Sequence, residues 1–408
     1  MSAKPRRRLV VVGNLAANPY AGMSWMTMQI TAGLHRLGHD AYYFETSSAW
    51  PYDPVRQYKV CDSDYAVPYL QRVAESFGLA GRWAYRRSYS DKAWFGLDRA
   101  KGEELLASAD AVFNVCGATR FAEENLRVGR LIYFGTDPVV HEIAYEKGEA
   151  TAKEILAEHG ETITYGENIG TPLSPLSPLP NLKSRTRQPV LMDVWESGPP
   201  ERREFTTVGN WKQDGMDIEF RGETYCWSKH HEFLKFIDLP KRIPDQPLEL
   251  AMNLTDPSTI KHGVDENVMA MGLGSGARGM LEHNGWNLVD APPFTTDPWK
   301  YREYVRKSRG EFTVARDLNV RTRSGWFSER SACYLAAGRP VITQDTGFGT
   351  VVPTGAGLFA FNTMDEILAA FEAVNSDYER HSRAARDVAR EYFASDKVLP
   401  RMLEDIGL

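Results

Sequence analysis

Residues 8–14 read RLVVVGN, a continuous apolar run closed by a small polar turn. Such a run suits a strand covered on both faces, the usual state of a strand in a parallel sheet. A turn follows, LAANPYAGMS, and then the helical segment WMTMQITAGLHRLGHD. In that segment Met26, Ile30, Leu34 and Leu37 recur at helical spacing, and Gly38 fits a C-terminal cap. The next run, AYYFE, reads as a second strand. A strand, a helix and a strand in this order need a right-handed crossover, so the start of the chain commits to an α/β architecture.

The alternation returns. ADAVFNVCG (109–117) and RLIYFGTD (130–137) read as strands, while TPLSPLSPLPN (171–181) carries four prolines without periodicity and reads as a linker or hinge. Beyond it, FTTVGNWK (205–212), a helix over WSKHHEFLKFIDL, LELAMN (248–253), FTVAR and PVITQD repeat the pattern. A length of 408 residues accommodates two such units. The sequence therefore predicts two doubly wound domains, 1–180 and 181–375, and a helical tail over 376–408 that packs back on the first.

Composition narrows the function. A net charge of −6 gives no electrostatic reason to bind nucleic acid. No apolar stretch approaches the ~18 residues of a membrane span, and the apolar run near the start is too short for a secretory signal. The four cysteines form no C-x-x-C pair and no cluster with histidine, so they read as free thiols of a cytoplasmic protein without a metal.

Residues 324–349, SGWFSERSACYLAAGRPVITQDTGFG, carry the clearest site signal. A helix over Phe327–Ala337, capped by Ser328 or Ser324 and ended by Gly338, aims its N-terminus at the preceding loop. That end carries roughly half a positive charge and several unpaired N–H groups, a ready anion site. Arg330 in its first turn opposes the dipole, a conflict that a bound phosphate would remove, or that Glu329 would settle locally. The glycines after the strand, beside Asp345 and Thr346, let the backbone turn close to a ligand beyond the strand ends.

The stretch LAAGRPVITQDTG, in the second half of a two-domain α/β chain, resembles the C-terminal domain of GT-B-fold glycosyltransferases, the group-1 or family-4-like branch. GNLAANPYAGMSWMTMQITAGLHRLGHDAYYFE is similar to the first strand, glycine-containing loop and helix of their N-terminal domain. The resemblance covers nearly the whole chain. It implies two Rossmann-like domains facing a cleft and transfer of a sugar from a nucleoside-diphosphate sugar to a small-molecule or glycan acceptor. It implies no cofactor besides the co-substrate, and it leaves room for a homodimer. The donor would meet Gly22, Met23, Lys229, Trp326, Phe327, Ser328, Arg330, Asp345, Thr346 and Gly347. The Glu-x7-Glu pair of many retaining members is missing, since its places fall near Gly325 and Cys333.

An inverting reaction needs a base, and Asp137 in YFGTDP or Glu167 in YGENIG sits at a predicted strand end. Each has an equally local reading as a turn or capping carboxylate. Trp50 and Tyr52 follow the second strand and offer aromatic faces to an acceptor. GSGARG (274–279) matches the dinucleotide-binding spacing but follows no strand-like run, so it reads as a loop. His230 and His231 are adjacent on a helix and cannot converge on one metal. The alternatives are a non-catalytic sugar-nucleotide-binding protein, an epimerase or phosphorylase on the same fold, and, through GSGARG, a dehydrogenase.

Overall fold

A computed structural model describes residues 5–46, 48–213, 215–255 and 272–408. The chain divides into two compact units.

In the first unit, eight strands form one sheet. They are β1 (Arg8–Val12), β2 (Asp40–Glu45), β5 (Trp83–Arg86), β6 (Trp94–Gly96), β7 (Ala111–Val115), β8 (Leu131–Gly135), β9 (Glu161–Thr164) and β10 (Leu182–Arg185). Their order is β10-β9-β8-β7-β1-β2-β5-β6. All neighbours are parallel except β5 and β6. Leu9 to Val12 are fully buried, as the apolar run requires. A hairpin of β3 (Tyr52–Asp53) and β4 (Tyr58–Lys59) stands apart.

The first helix, Ala21–Arg36, is buried almost all round, including Thr27, Gln29 and Thr31. Helix Ser395–Asp405 lies against it so closely that a Cβ on Gly33 would come 2.5 Å from Leu399 Cδ1. Ser184 Oγ donates to Asp405 (2.6 Å) and Arg130 Nη2 to the Ile406 carbonyl (2.6 Å), which fixes the chain end.

The second unit carries the sheet β15-β14-β11-β16-β17-β18. Its strands are β11 (Phe205–Val208), β14 (Leu248–Met252), β15 (Asn287–Asp290), β16 (Gly310–Thr313), β17 (Val341–Gln344) and β18 (Leu358–Phe361). Every pairing is parallel. Phe205, Phe233, Leu250, Phe312, Ile342 and Phe371 form its core. A small hairpin of β12 (Ile218–Phe220) and β13 (Glu223–Tyr225) is separate.

The unit boundaries differ from 180/181 and 375/376. The first unit is 1–167, 177–191 and 394–408; the second is 168–176 and 192–393. Hydrogen bonding explains both shifts. Asn168 N donates to Ser324 O (3.0 Å) and Ser174 Oγ to Thr322 O (2.8 Å), so the start of the proline-rich segment belongs with the second unit. Its end leads into β10, which extends the first sheet. Helix Tyr378–Val388 stays with the second unit, and only 394–408 joins the first. Among the described residues, no helix is long and apolar enough to cross a membrane.

Candidate functional site

The winding of the second sheet reverses between β11 and β16. In open α/β sheets ligands sit beyond the carboxyl ends of the strands at such a reversal. The guanidinium of Arg330 lies across this point. Its Nη1 donates to Val208 O, the last carbonyl of β11 (2.7 Å), and its Nη2 to Thr313 Oγ1, at the end of β16 (2.8 Å). Its Nε pairs with the carboxylate of Glu311, whose side chain is completely buried.

This corrects the phosphate-clamp reading of Arg330. The conflict with the helix dipole is real, and inside the protein it is met by Glu311 of β16, with the Glu329 charge beside it. Burial is the largest influence and disfavours the guanidinium charge, but the Glu311 charge and hydrogen bond together with Tyr301 and Tyr334 outweigh it and raise the Arg330 pKa. Glu329 is itself buried, which raises its carboxyl pKa to about 7, and it accepts from Cys333 Sγ (2.9 Å).

The helix runs Glu329–Ala336, two residues shorter at its start than expected. Ser328 is its N-cap with extended backbone (φ −72°, ψ 135°), but its hydroxyl makes no capping bond. The first turn thus lacks the side-chain acceptor that the serine was expected to supply. Lys229, Trp326, Phe327, Ser328, Arg330 and Thr346 line one pocket at this helix end, so six of the donor residues expected from sequence converge.

Lys229 immediately precedes the short helix His230–Leu234. Glu232 of that helix, buried, accepts from Gln344 Nε2 at the end of β17 (2.6 Å). Gln344 Oε1 in turn accepts from Ala315 N (3.2 Å). This buried chain ties the lysine to the same strand ends as Ser328.

The turn after β17 is held by its own groups. Asp345 Oδ1 accepts from Gly347 N (2.7 Å), and its Oδ2 pairs with Arg323 (3.4 Å). Thr346 Oγ1 donates to Trp326 O (2.5 Å). Asn168 Nδ2 donates to Arg323 O and Gly347 O, 3.0 Å each, and Thr350 Oγ1 donates to Asn168 Oδ1 (3.0 Å). Gly347 has φ +88°, and a Cβ there would lie 2.5 Å from Asn168 Nδ2. Asp345 and Gly347 therefore build the turn and are absent from the pocket lining. Phe327 reaches the pocket but its ring packs on Phe348 and Phe393, each 5.0 Å away between centroids.

In the first unit, Gly22 and Met23 fall in the first turn of helix Ala21–Arg36, not in a loop. Gly22 is exposed, with open space where a Cβ would stand. The loop before it is held by Glu45, at the end of β2 and fully buried. Glu45 accepts from Ala16 N (2.8 Å), Ala17 N (2.7 Å) and Tyr43 OH (2.6 Å). Burial raises its pKa to about 7 against these three bonds, which favour the charged form.

Asp137 follows β8, beside half-buried Cys116, which follows β7, and close to His141. Burial lowers the His141 pKa, and the Asp137 charge works against that shift. Tyr133 OH and His141 Nδ1 are hydrogen-bonded. Val139, two residues on, has φ +94°, a region β-branched residues avoid, and its N–H donates to the buried Glu142 carboxylate (2.7 Å). Strain of this kind persists only where the surroundings enforce it. Glu167, by contrast, is paired with Arg187 at 2.5 Å, both largely buried. Its carboxylate is committed to that ion pair, which weakens it as a base. Trp50 is exposed, whereas Tyr52 is buried and stacks on Tyr20 at 5.8 Å.

Three signals resolve simply. Gly274 caps helix Ser275–His283, so the GSGARG glycines open a helix and do not form a loop; most of the stretch before them lies outside the described residues. The His230 and His231 rings lie 3.9 Å apart between centroids. Among the described residues no group of three histidines, cysteines or carboxylates could hold a metal.

Sequence reasoning missed Glu311, Glu45, Asn168, the Glu232–Gln344 pair and His141. Glu311 and Glu45 had a usable signal, since each is an acid inside an apolar strand run, GEFTVA and AYYFET. Such an acid is buried and must find a partner. Asn168 and Gln344 had none, because their partners lie far away in sequence.

One mostly parallel and one wholly parallel sheet, each with a reversal in strand order, define the class as a pair of Rossmann-like units. No family model matches the sequence, and a search of curated proteins returned no match. Solved structures do match over nearly the full length. Sucrose-phosphate synthase from Thermosynechococcus elongatus superposes with a TM-score of 0.52 at 12% identity, covering 98% of each chain. HepE from Anabaena, solved with UDP, gives 0.54 at 10% identity over 98% of this chain and 99% of that one. The trehalose-6-phosphate synthase OtsA gives 0.51 at 13%, over 98% and 99%. The fold is the GT-B fold of these glycosyltransferases.

Proposed function

We propose that the chain transfers a sugar from a nucleoside-diphosphate sugar to a hydroxyl or amine of a small-molecule or glycan acceptor, without a metal. The observation that carries this reading is the convergence of Lys229, Ser328 and an N-terminus without a side-chain cap on one pocket at the strand-order reversal of the second sheet. An anion is what such a place accepts. The GT-B fold supports the same reading, as does a structural neighbour: HepE was solved with UDP and with UDP-glucose.

In the proposed reaction the bond from the sugar's anomeric carbon to the diphosphate oxygen breaks as the acceptor oxygen or nitrogen bonds to that carbon. The diphosphate leaves with the bonding pair, and Lys229 with the helix-end amides stabilises the charge that develops on it. Arg330 acts one step removed. Locked to Glu311, Val208 and Thr313, it fixes the strand ends on which the pocket is built. Asp137 takes the acceptor proton, with His141 and the strained Val139 turn positioning it. Trp50 is exposed and offers its ring to an acceptor.

Calorimetric titration with UDP, GDP and dTDP tests the donor site. One of them should bind, and Lys229→Ala should weaken that binding by about 1.5–3 kcal/mol, the scale of a charge-assisted hydrogen bond. Affinity unchanged by Lys229→Ala would discard the site. Asp137→Asn should abolish turnover while sparing nucleotide binding. Binding without turnover in the unmodified chain would favour the non-catalytic alternative.

A further inference from the structure

Helix Tyr378–Val388 is followed by a π-helical turn, Ala389–Phe393. Across the two, Arg383, Arg386 and Arg390 repeat at helical spacing and share one face. Like charges three and four residues apart repel, so a helix gains nothing from this arrangement by itself. The three line a pocket of about 560 Å³, and Arg306 lines it too. Two carboxylates, Glu196 and Asp387, also border it and form no ion pair with these arginines among the described residues. Arg306 is paired with Glu303 (2.7 Å), and the Arg383–Glu379 pair is exposed at 3.8 Å. Arg386 and Arg390 have no carboxylate partner among the described residues, and Arg386 Nη2 donates only to Ser197 O (2.9 Å).

Behind this wall lies Arg339, fully buried. Its nitrogens donate to the oxygens of Arg306, Ser197 and Gly198, all uncharged, and its Nη1 finds no partner. Arg306 Nε is likewise buried without a partner. A Cβ on Gly338 would come 2.5 Å from Arg386 Nε, so the Arg386 guanidinium lies against the backbone just before Arg339. Burial depresses the Arg339 pKa; Tyr378 works against that shift, and the neighbouring Arg386 and Arg306 charges add to it. A buried cation with no counter-charge is costly, and an anion in the pocket would relieve it.

We propose that this pocket is a second anion site of the second unit, taking the phosphate group of a small phosphorylated molecule. Guanidinium forks match phosphate geometry. The volume exceeds that of a bare ion and falls in the range of small-molecule sites. The donor pocket shares none of these lining residues, so the inference stands apart from the proposed activity.

The test is thermal shift and calorimetry on the full chain with hexose 6-phosphate and with inorganic phosphate, at matched ionic strength. Hexose 6-phosphate should raise the melting temperature and bind more tightly than inorganic phosphate. The Arg386→Gln/Arg390→Gln variant should lose at least tenfold in affinity, and the exposed pair Arg383→Gln/Arg390→Gln, which leaves the buried contacts intact, should lose affinity in the same direction. Lys229→Ala should leave the response unchanged. An equal response in wild type and both arginine variants would overturn the proposal, as would a response that disappears with Lys229→Ala. So would arginine-dependent binding to phosphatidylglycerol vesicles without binding of the soluble ester, because the ligand would then be a membrane headgroup.

Discussion

The two strand-order reversals of this molecule are built from opposite charges. In the first unit the backbone beyond β1 is held by a lone acid, Glu45, which gathers two amides and a tyrosine hydroxyl. In the second, the ends of β11 and β16 are joined by a cation, Arg330, with its own buried counter-ion, Glu311. A carboxylate that accepts hydrogen bonds can hold a loop of N–H groups unaided. A guanidinium that donates to carbonyl and hydroxyl oxygens still carries its charge into the interior and needs an anion there. The same topology thus admits either sign of pin, and the partners decide which is stable.

The sharpest way to break this contrast is Arg330→Ala. It leaves Glu311 buried without its counter-charge, and we expect about 3–5 kcal/mol of destabilisation by denaturant unfolding. Arg330→Met with Glu311→Gln, which removes both charges, should recover a large part of that loss. If the double variant is no better than the single one, the ion pair is not what holds the switch point.

Glu45→Gln probes the other pin. Its amide places a donor where the loop needs an acceptor, a loss of about 1–3 kcal/mol. The pH profile is more telling. The folded pKa of about 7 lies above the ordinary value of 4.5. The folded state therefore holds its proton longer than the unfolded chain, and stability falls as pH rises from about 4.5 to 7, then levels off. Urea unfolding between pH 5 and 8 should show a shallower fall in the variant. Equal slopes would assign the effect to other buried carboxyls such as Glu142.

Asn168→Ala removes the amide that joins the turns at 323 and 347, with an expected loss of about 1–3 kcal/mol, at the lower end if water replaces it. Donor affinity should fall with it, since those turns carry Trp326 and Thr346. Gly22→Ala has the smallest effect and the opposite sign. A Cβ has room there, and alanine should stabilise the helix by about 0.5–1 kcal/mol. Turnover that drops while the melting temperature rises would show that a ligand approaches this backbone.

Much of the fold was legible because its cause is local. The apolar run at 9–12 and the end of the helix before Pro340 follow from burial on two faces and from the glycine stop at Gly338, φ +70°, which neighbouring residues express. The pocket residues Lys229, Ser328 and Thr346 were legible because they sit at element ends, where side chains reach a crevice. Arg330 was misread for the same reason that it was noticed. A cation in a first helical turn demands an anion, and the sequence offered only Glu329 or a ligand. Glu311, nineteen residues away, enters the account only when β16 is placed beside β11.

By itself, then, the order of apolar runs, helical periodicities and glycine turns determined two parallel α/β units and marked the helix end at 328. Only the tertiary structure decided which charges meet, where the proline-rich segment divides, and that Asp345 and Gly347 serve the turn. The physical reason is range. Periodicity and capping act over a few residues, whereas a buried charge is satisfied by whatever group the packing of distant strands brings within hydrogen-bond reach.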